Sequence, residues 1–529
     1  MSDRAGADRV RYRFPPLERR GVIAGWRGGQ IATVAVGLVA AMVALRTQPS
    51  VGGIALAIAG VIGAVALAFW PVCGRTGEQW LPLVLRWAWA TGTGTRRQHA
   101  PGPGRGHRVV VEEADDGGPA TRVTGPGPRR TGGRRTVFDG LSVCGAPFGA
   151  DRTRHLAGVV VDGPARTATA VLAVRGHSFA LLAPADQDAR IAGWARVLST
   201  LAREGSEVHR VQWIESCLPD DGSAVRRHGD AHAVLGPGSP AGRSYRALVD
   251  EASPVTRRHQ VLLALSVHTS RSARSIRASG GGMAGTGVVL TREVESLRRA
   301  LEGADITVDG ILGPAALARV ITEAAAPVTG AGSEPAGAAA LRPPVGAGGA
   351  ASDDTASLPR WPWPMAVEPE WDAVHTDGTW HATYWIAEWP RVEVTPDFLG
   401  PLLFSPLRRS MALTMEPVSP SRAARQVAQA RTADLADGEL RRRGGFLVTA
   451  RHHRERESVE TRDEELADGH AQYRFSGYVT ATADTRTELS DACAALEQAA
   501  GQAQIELRRL YGEQDVAFTC SLPLGRGLS

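Results

Sequence analysis

Lysine is missing from this chain of 529 residues, and all 60 of its basic residues are arginine. A coding bias toward GC explains that better than a chemical need, but the consequence is firm. No residue here can serve as the lysine of a phosphate-binding loop, as a Schiff-base lysine or as the base of a Ser–Lys pair. Cysteine is scarce too. Cys73, Cys144, Cys217, Cys493 and Cys520 are scattered, none forms a C-x-x-C pair, and their odd count argues against a complete disulfide framework. A reducing, cytoplasmic setting is expected for most of the chain. G-x-S-x-G and H-E-x-x-H are likewise absent. With no activated nucleophile, metal constellation or P-loop, a catalytic, cofactor-binding or metal-binding function has little to stand on.

Charge is unevenly placed. The net charge is +5, yet residues 1–100 hold 12 arginines against 4 acids, which leaves the remainder slightly acidic. A basic segment that flanks apolar sequence points to a membrane surface rather than to nucleic acid, on which the sequence is silent. Two uncharged apolar runs, 28–45 and 51–72, are separated only by "RTQPS". Each reaches the roughly 20 residues that cross a bilayer core, and the short turn makes them antiparallel. Gly37, Gly52, Gly53, Gly60 and Gly63 would let the two backbones approach closely. A cleaved signal peptide is disfavoured because a second apolar run follows at once. A buried soluble hairpin is disfavoured because neither run has a polar face.

Arginines 11, 13, 19, 20 and 27 precede this hairpin, arginines 75, 86, 96 and 97 follow it, and the turn holds only Arg46. By the positive-inside rule the protein is expected to be multi-pass in the cell membrane, with both termini cytoplasmic and the arginines facing anionic lipid. The basic segment is 1–27, and residues 73–90, with Trp80, Trp87 and Trp89, read as an interfacial amphipathic piece.

Beyond the hairpin, 91–136 and 324–359 are rich in Gly, Pro, Ala or Arg and read as linkers. They delimit two regions, 137–323 and 360–529. In both, short β-rich runs alternate with helical periodicity, and 360–529 carries a charged helical insertion. The expected fold is a transmembrane hairpin followed by cytoplasmic α+β modules built from ferredoxin-like β-α-β units. The final "DVAFTCSLPLGRGLS" reads as strand-like.

Few residues suggest chemistry. Gly280, Gly282 and Gly285 form a formal G-x-G-x-x-G, but no strand leads directly into it, so a flexible loop is the simpler reading. Asp220 and Asp221 could hold a metal in a glycosyltransferase-like enzyme, although adjacent acids beside Pro and Gly usually mark a turn. His452 and His453 lie side by side on a charged helix, not at the i, i+4 spacing of zinc ligands. His375 and His381 border an aromatic-rich strand, where packed or surface histidines are the default.

The segment "GYVTATADTRTELSDACAALEQAAGQAQIELRRLYGEQDVAFTCSLPLG" resembles the region just upstream of the motor domain in the large ATPases of type IV secretion and conjugation (the VirB/TraC/TrbE class). "TWHATYWIAEWPR" resembles an earlier strand of that region. "RYRFPPLERRGVIAGWRGGQ" with its hairpin resembles PrgI-like small membrane proteins. Over most of its length the chain, including "TAVLAVRGHSFALLAPADQDARIAGWARVL" and "FLVTARHHRERE", is similar to actinobacterial membrane proteins that join the two parts. The resemblance departs after Leu524, where a motor would begin. It therefore implies a non-enzymatic membrane component, in a homo-oligomer within a larger complex, that docks a separate ATPase through its tail. A type VII secretion membrane component is the alternative.

Overall fold

The computed structural model describes residues 14, 28–47, 50–72, 75–93, 98–99, 109–113, 119–123, 136–148, 156–176, 179–219, 223–232, 238–252, 257–326, 362–444 and 450–528. Most of the 1–27 segment and of both expected linkers lies outside them.

Two apolar helices, α1 (Gly28–Thr47) and α2 (Val51–Phe69), run antiparallel and are long and apolar enough to cross a membrane. At 1.5 Å per residue each spans about 30 Å, the thickness of a bilayer core. Ser50 starts α2 by accepting a hydrogen bond from the Gly53 amide at 3.2 Å. At the other end of the pair, Gln30 Nε2 donates to the Ala68 carbonyl at 3.1 Å. A Cβ on Gly37 would overlap that of Ala64, whereas one on Gly63 would meet nothing within 4 Å. Gly37→Leu is therefore expected to destabilise the hairpin by about 1–3 kcal/mol through overpacking. Gly63→Leu should be neutral, and thermal unfolding of both variants in detergent separates the two cases. Helix α3 (Gly77–Gly92) follows after a two-residue strand pair, Pro71–Val72 with Arg75–Thr76.

The remaining strands form one large antiparallel sheet. After the two-residue strand Gln98–His99, which pairs with Ala366–Pro369 at one end of the sheet, they are in chain order β1 (Val109–Glu113), β2 (Pro119–Val123), β3 (Leu141–Pro147), β4 (Leu156–Asp162) and β5 (Thr167–Arg175). Helix α4 (Pro184–Leu201) leads to β6 (Val208–Pro219), and a helical pair, α5 (Ser223–His232) and α6 (Pro240–Ala252), leads to β7 (Arg257–His268). Then come α7 (Ala273–Ala278), α8 (Gly282–Glu302), β8 (Thr307–Ile311) and α9 (Pro314–Ala325). The second region supplies β9 (Ala366–Pro369), β10 (Val374–Thr376), β11 (Thr379–Glu388), α10 (Gly400–Leu403) and β12 (Arg409–Val418). A helical arm, α11 (Pro420–Gly444) and α12 (Ala450–Ala467), precedes β13 (Gln472–Ala483), α13 (Arg486–Gln502), β14 (Glu506–Arg509) and α14 (Gln514–Thr519). The hairpin β1–β2 lies inside the segment read as a tether and extends the sheet through β3. Its "VVVEE" and "PATRV" have strand composition, which the surrounding Gly and Pro obscure.

Two groups of four strands share one order. In the first, β8 and β7 flank β5, and β6 lies outside β7. In the second, β14 and β13 flank β11, and β12 lies outside β13. Both read fourth–first–third–second. The groups join where β6 pairs with β12, from Val211↔Met415 to Cys217↔Arg409, so the two regions share a continuous sheet. The cross-strand row Leu172, Leu263, Trp213, Leu413 puts one face in common. Helices α4 and α8 cover it on one side of Trp213, with Val197, Leu297 and Leu301 in that core. Helix α13 covers it on the other, with Leu489 and Leu496. The opposite face is closed by α9 and by the segment after β14, with Leu317, Ile321, Phe518, Leu522 and Leu524 in a third core.

The seam holds a buried ion pair. Arg409, whose side chain is 0% exposed, pairs through Nη1 with Glu215 Oε2 across β12 and β6. Its Nε donates to the Leu402 carbonyl at 2.8 Å and its Nη2 to that of Leu403, so the guanidinium also satisfies the end of α10. The other Glu215 oxygen meets His259 Nδ1 on β7 at 2.7 Å.

Candidate functional site

Those of the singled-out residues that the structure describes form no single cluster. Gly280, Gly282 and Gly285 sit at the turn from α7 into α8, fed by a helix rather than a strand. Gly280 and Gly282 take φ of +105° and +54°, and a Cβ on Gly285 would collide with the Ile276 carbonyl. The motif thus serves a tight helix-to-helix turn. Asp220 and Asp221 lie outside the described residues. His452 and His453 fall within α12, with side chains outside them. His375 stacks on Trp380 at 4.6 Å between centroids and lies 3.8 Å from Glu368.

His381 is fully buried. Its Nε2 is 2.8 Å from the Thr376 hydroxyl and 3.2 Å from the Ala325 carbonyl, and its Nδ1 is 3.0 Å from the Thr482 hydroxyl. The ring lies against Phe518 at 4.4 Å. Burial pushes its pKa down to about 3, so it stays neutral and pins the end of α9 to the sheet. Among the described residues, no group of three or more His, Cys, Asp or Glu could hold a metal.

Two other assemblies stand out. The first is the joint between α3 and the sheet body. Trp371 lies 5.9 Å from Trp80 and 5.4 Å from Trp87, and Tyr511 lies 6.1 Å from Trp80. Arg75 reaches Glu513 at 3.1 Å, and Arg86 approaches it at 3.7 Å. Burial raises the pKa of Asp515, two residues further on. On α3, Trp80 and Trp87 turn toward the body and Leu83 is buried, while Leu81, Val84, Leu85 and Trp89 stay exposed, Trp89 by 77%. The helix therefore has two apolar faces, and the body covers one. Each ring contact is worth about 0.5–1.5 kcal/mol beyond burial, and the half-exposed ion pairs less. Trp371→Ala is expected to speed deuterium uptake in residues 77–92 roughly ten-fold. Unchanged uptake would mean that α3 is held elsewhere.

The second assembly begins at that joint. Residues 514–528 cross the sheet face opposite α4, α8 and α13, over a row of buried polar side chains. Gln514 exchanges two hydrogen bonds with the Thr383 backbone, at 2.8 and 3.1 Å. Thr480 donates to Ser521 Oγ at 3.0 Å, and Gln212 bonds both the Cys520 carbonyl, at 2.7 Å, and the Gly525 amide, at 2.9 Å. Thr414 and Tyr478 donate to the carbonyls of Arg526 and Gly527, each at 2.6 Å, and Arg526 pairs with buried Asp162 at 2.7 Å. The segment is thus not the strand that its alternating sequence suggests. The segment opens as α14 and is then held by side chains, because its Phe518, Leu522 and Leu524 complete a core. Cys144, Cys217, Cys493 and Cys520 are buried and in no disulfide, and burial pushes the Cys520 thiol up to about 12.

Sequence reading missed Trp371, Tyr511, Glu513 and Gln212. The available signal was polar side chains, Thr169, Gln212, Ser266, Thr414 and Thr480, inside strands whose neighbours are apolar. Such rows require a polar covering element.

No known protein-family model matches this chain, and no curated protein matches it either.

Proposed function

We propose that this chain is a non-enzymatic component of a type IV secretion-like or conjugation apparatus, in which a membrane hairpin holds an α+β body at the cytoplasmic surface and presents it to a separate ATPase. The observation that carries the reading is the two-faced helix α3. It directly follows a hairpin long enough to span a bilayer, offers one aromatic face to the sheet body and leaves the other apolar face uncovered. An interfacial helix has that pattern: one face takes lipid and the other takes protein.

The strand order fourth–first–third–second with all pairs antiparallel supports reading each group as a ferredoxin-like unit. The arginines on both flanks of the hairpin support a multi-pass arrangement with both termini cytoplasmic, against anionic lipid. The ATPase partner and assembly into a homo-oligomer within a larger complex come from the sequence resemblance.

Two measurements test the reading. After carbonate washing, the protein should stay with the membrane fraction. Purified from its own cells in mild detergent, it should bring along an ATP-binding protein carrying G-x-x-x-x-G-K-[ST]. Release by carbonate removes the anchor, and nucleotide hydrolysis by the pure chain removes the non-enzymatic assignment.

A further inference from the structure

The hairpin is held from both flanks, and both grips fall on the same sheet body. After the hairpin, α3 packs on Trp371 and Tyr511. Gly512 donates to the Trp371 carbonyl at 2.6 Å, and the adjacent Leu510 amide donates to that of Thr383, so this grip sits beside the middle of β11. Before the hairpin, Phe14 stacks on Trp389 at 5.2 Å between centroids and lies 5.6 Å from Phe398. Trp389 meets Phe398 and Phe475 edge-on at 6.5 and 5.7 Å, which makes an aromatic cradle just past the end of β11. From Thr383 to Trp389 is six residues, roughly 20 Å at strand spacing.

We propose that this cradle of Trp389, Phe398 and Phe475 is the docking site of the chain's own pre-hairpin segment, with Phe14 as the anchor. Phe14 and α3 then form a two-point clamp that fixes the orientation of the sheet body to the bilayer. One attachment leaves a body free to tilt and swivel, and two attachments about 20 Å apart remove most of that freedom. The occupant is named by the residue seated in the cradle. Its reach is adequate, since the 14 steps from Phe14 to the start of α1 span up to about 45–50 Å. Pro15 and Pro16 follow it in sequence, and prolines reduce the freedom a segment loses on docking. The clamp also requires both flanks of the hairpin to lie on one side of the membrane, because one body holds both. It rests on the membrane reading above.

The test uses the full chain in its native membrane, with Phe14→p-benzoylphenylalanine as a photo-crosslinking probe. Irradiation is expected to give adducts at Trp389, Phe398 or Phe475 within the same chain, at monomer mass. Trp389→Ala should cut their yield at least five-fold. Adducts elsewhere, or a band of doubled mass that places Phe14 on a neighbouring copy, would overturn the proposal. Carbonate extraction of the same sample separates the two levels of inference. Retention without the adduct defeats the clamp alone, and release with the adduct leaves Phe14 docked but ends its role against a bilayer.

Discussion

Arg409→Ala is expected to destabilise the sheet body by about 3–5 kcal/mol, which is what removing one partner of a buried ion pair costs. The guanidinium satisfies three acceptors at once: Glu215 on β6 and the carbonyls of Leu402 and Leu403 at the end of α10. Alanine leaves all three without it. Glu215 has a side chain only 7% exposed and, among the described residues, keeps His259 as its close partner. Urea unfolding in detergent reads the loss, followed by tryptophan fluorescence because Trp213 lies on the seam strand. Arg409→Lys should recover only part of it, since an ammonium lacks the planar fork that reaches a carboxylate and two carbonyls. Removing the charge from both sides with Arg409→Met and Glu215→Met is expected to cost much less than Arg409→Ala, because no buried charge is then orphaned. A loss under 1 kcal/mol for Arg409→Ala would show that the pair is not what holds β6 to β12.

The seam also shows where sequence reasoning stops. The strands themselves were readable. "HQVLLALSVHT" and "YRFSGYVTATA" have strand composition and length, and β7 and β13 form there. The apolar hairpin was readable because two uncharged runs split by a five-residue turn are each about as long as a helix that crosses a bilayer core. Pairing of β6 with β12 was not. The two strands lie some 200 positions apart, and nothing in the composition of "VQWIESC" names "RSMALTM" as its neighbour. Periodicity reports which face a side chain takes, not which strand lies alongside. The last segment misled for a related reason. "DVAFTC" alternates like a strand, but Gln514 ties its start to Thr383, and apolar residues at 517, 518, 522 and 524 seat it on a core. Tertiary contact decided against local propensity. The joint was half legible: Trp80 and Trp87 read as interfacial, while their partners Trp371 and Tyr511 lie hundreds of residues away and carry no local mark.

Acidification from pH 6.5 to 4 is expected to cost the body about 3 kcal/mol through His381 alone. The sign follows from where the proton binds. Folding lowers this pKa from 6.5 to about 3, chiefly by burial. Below pH 6.5 the unfolded chain takes up a proton that the folded chain refuses. Stability is therefore complete above pH 6.5 and falls by about 1.4 kcal/mol per unit as pH drops toward 3. His209, pushed down to about 4 by burial and then by Arg210, adds a second loss of the same sign. Glu323 and Asp515, raised by burial, work in the opposite direction over part of the range, so the total slope is a mixture. The informative quantity is the difference between the native chain and His381→Gln. Glutamine offers a donor to the Ala325 carbonyl and does not titrate. The variant should start less stable at pH 7.5 and close the gap as pH falls, its unfolding free energy descending about 1.4 kcal/mol per unit less steeply between pH 6 and 4. Parallel curves would mean that His381 takes its proton within the fold, and the cage of Thr376, Ala325, Thr482 and Phe518 would then have to open at mildly acid pH.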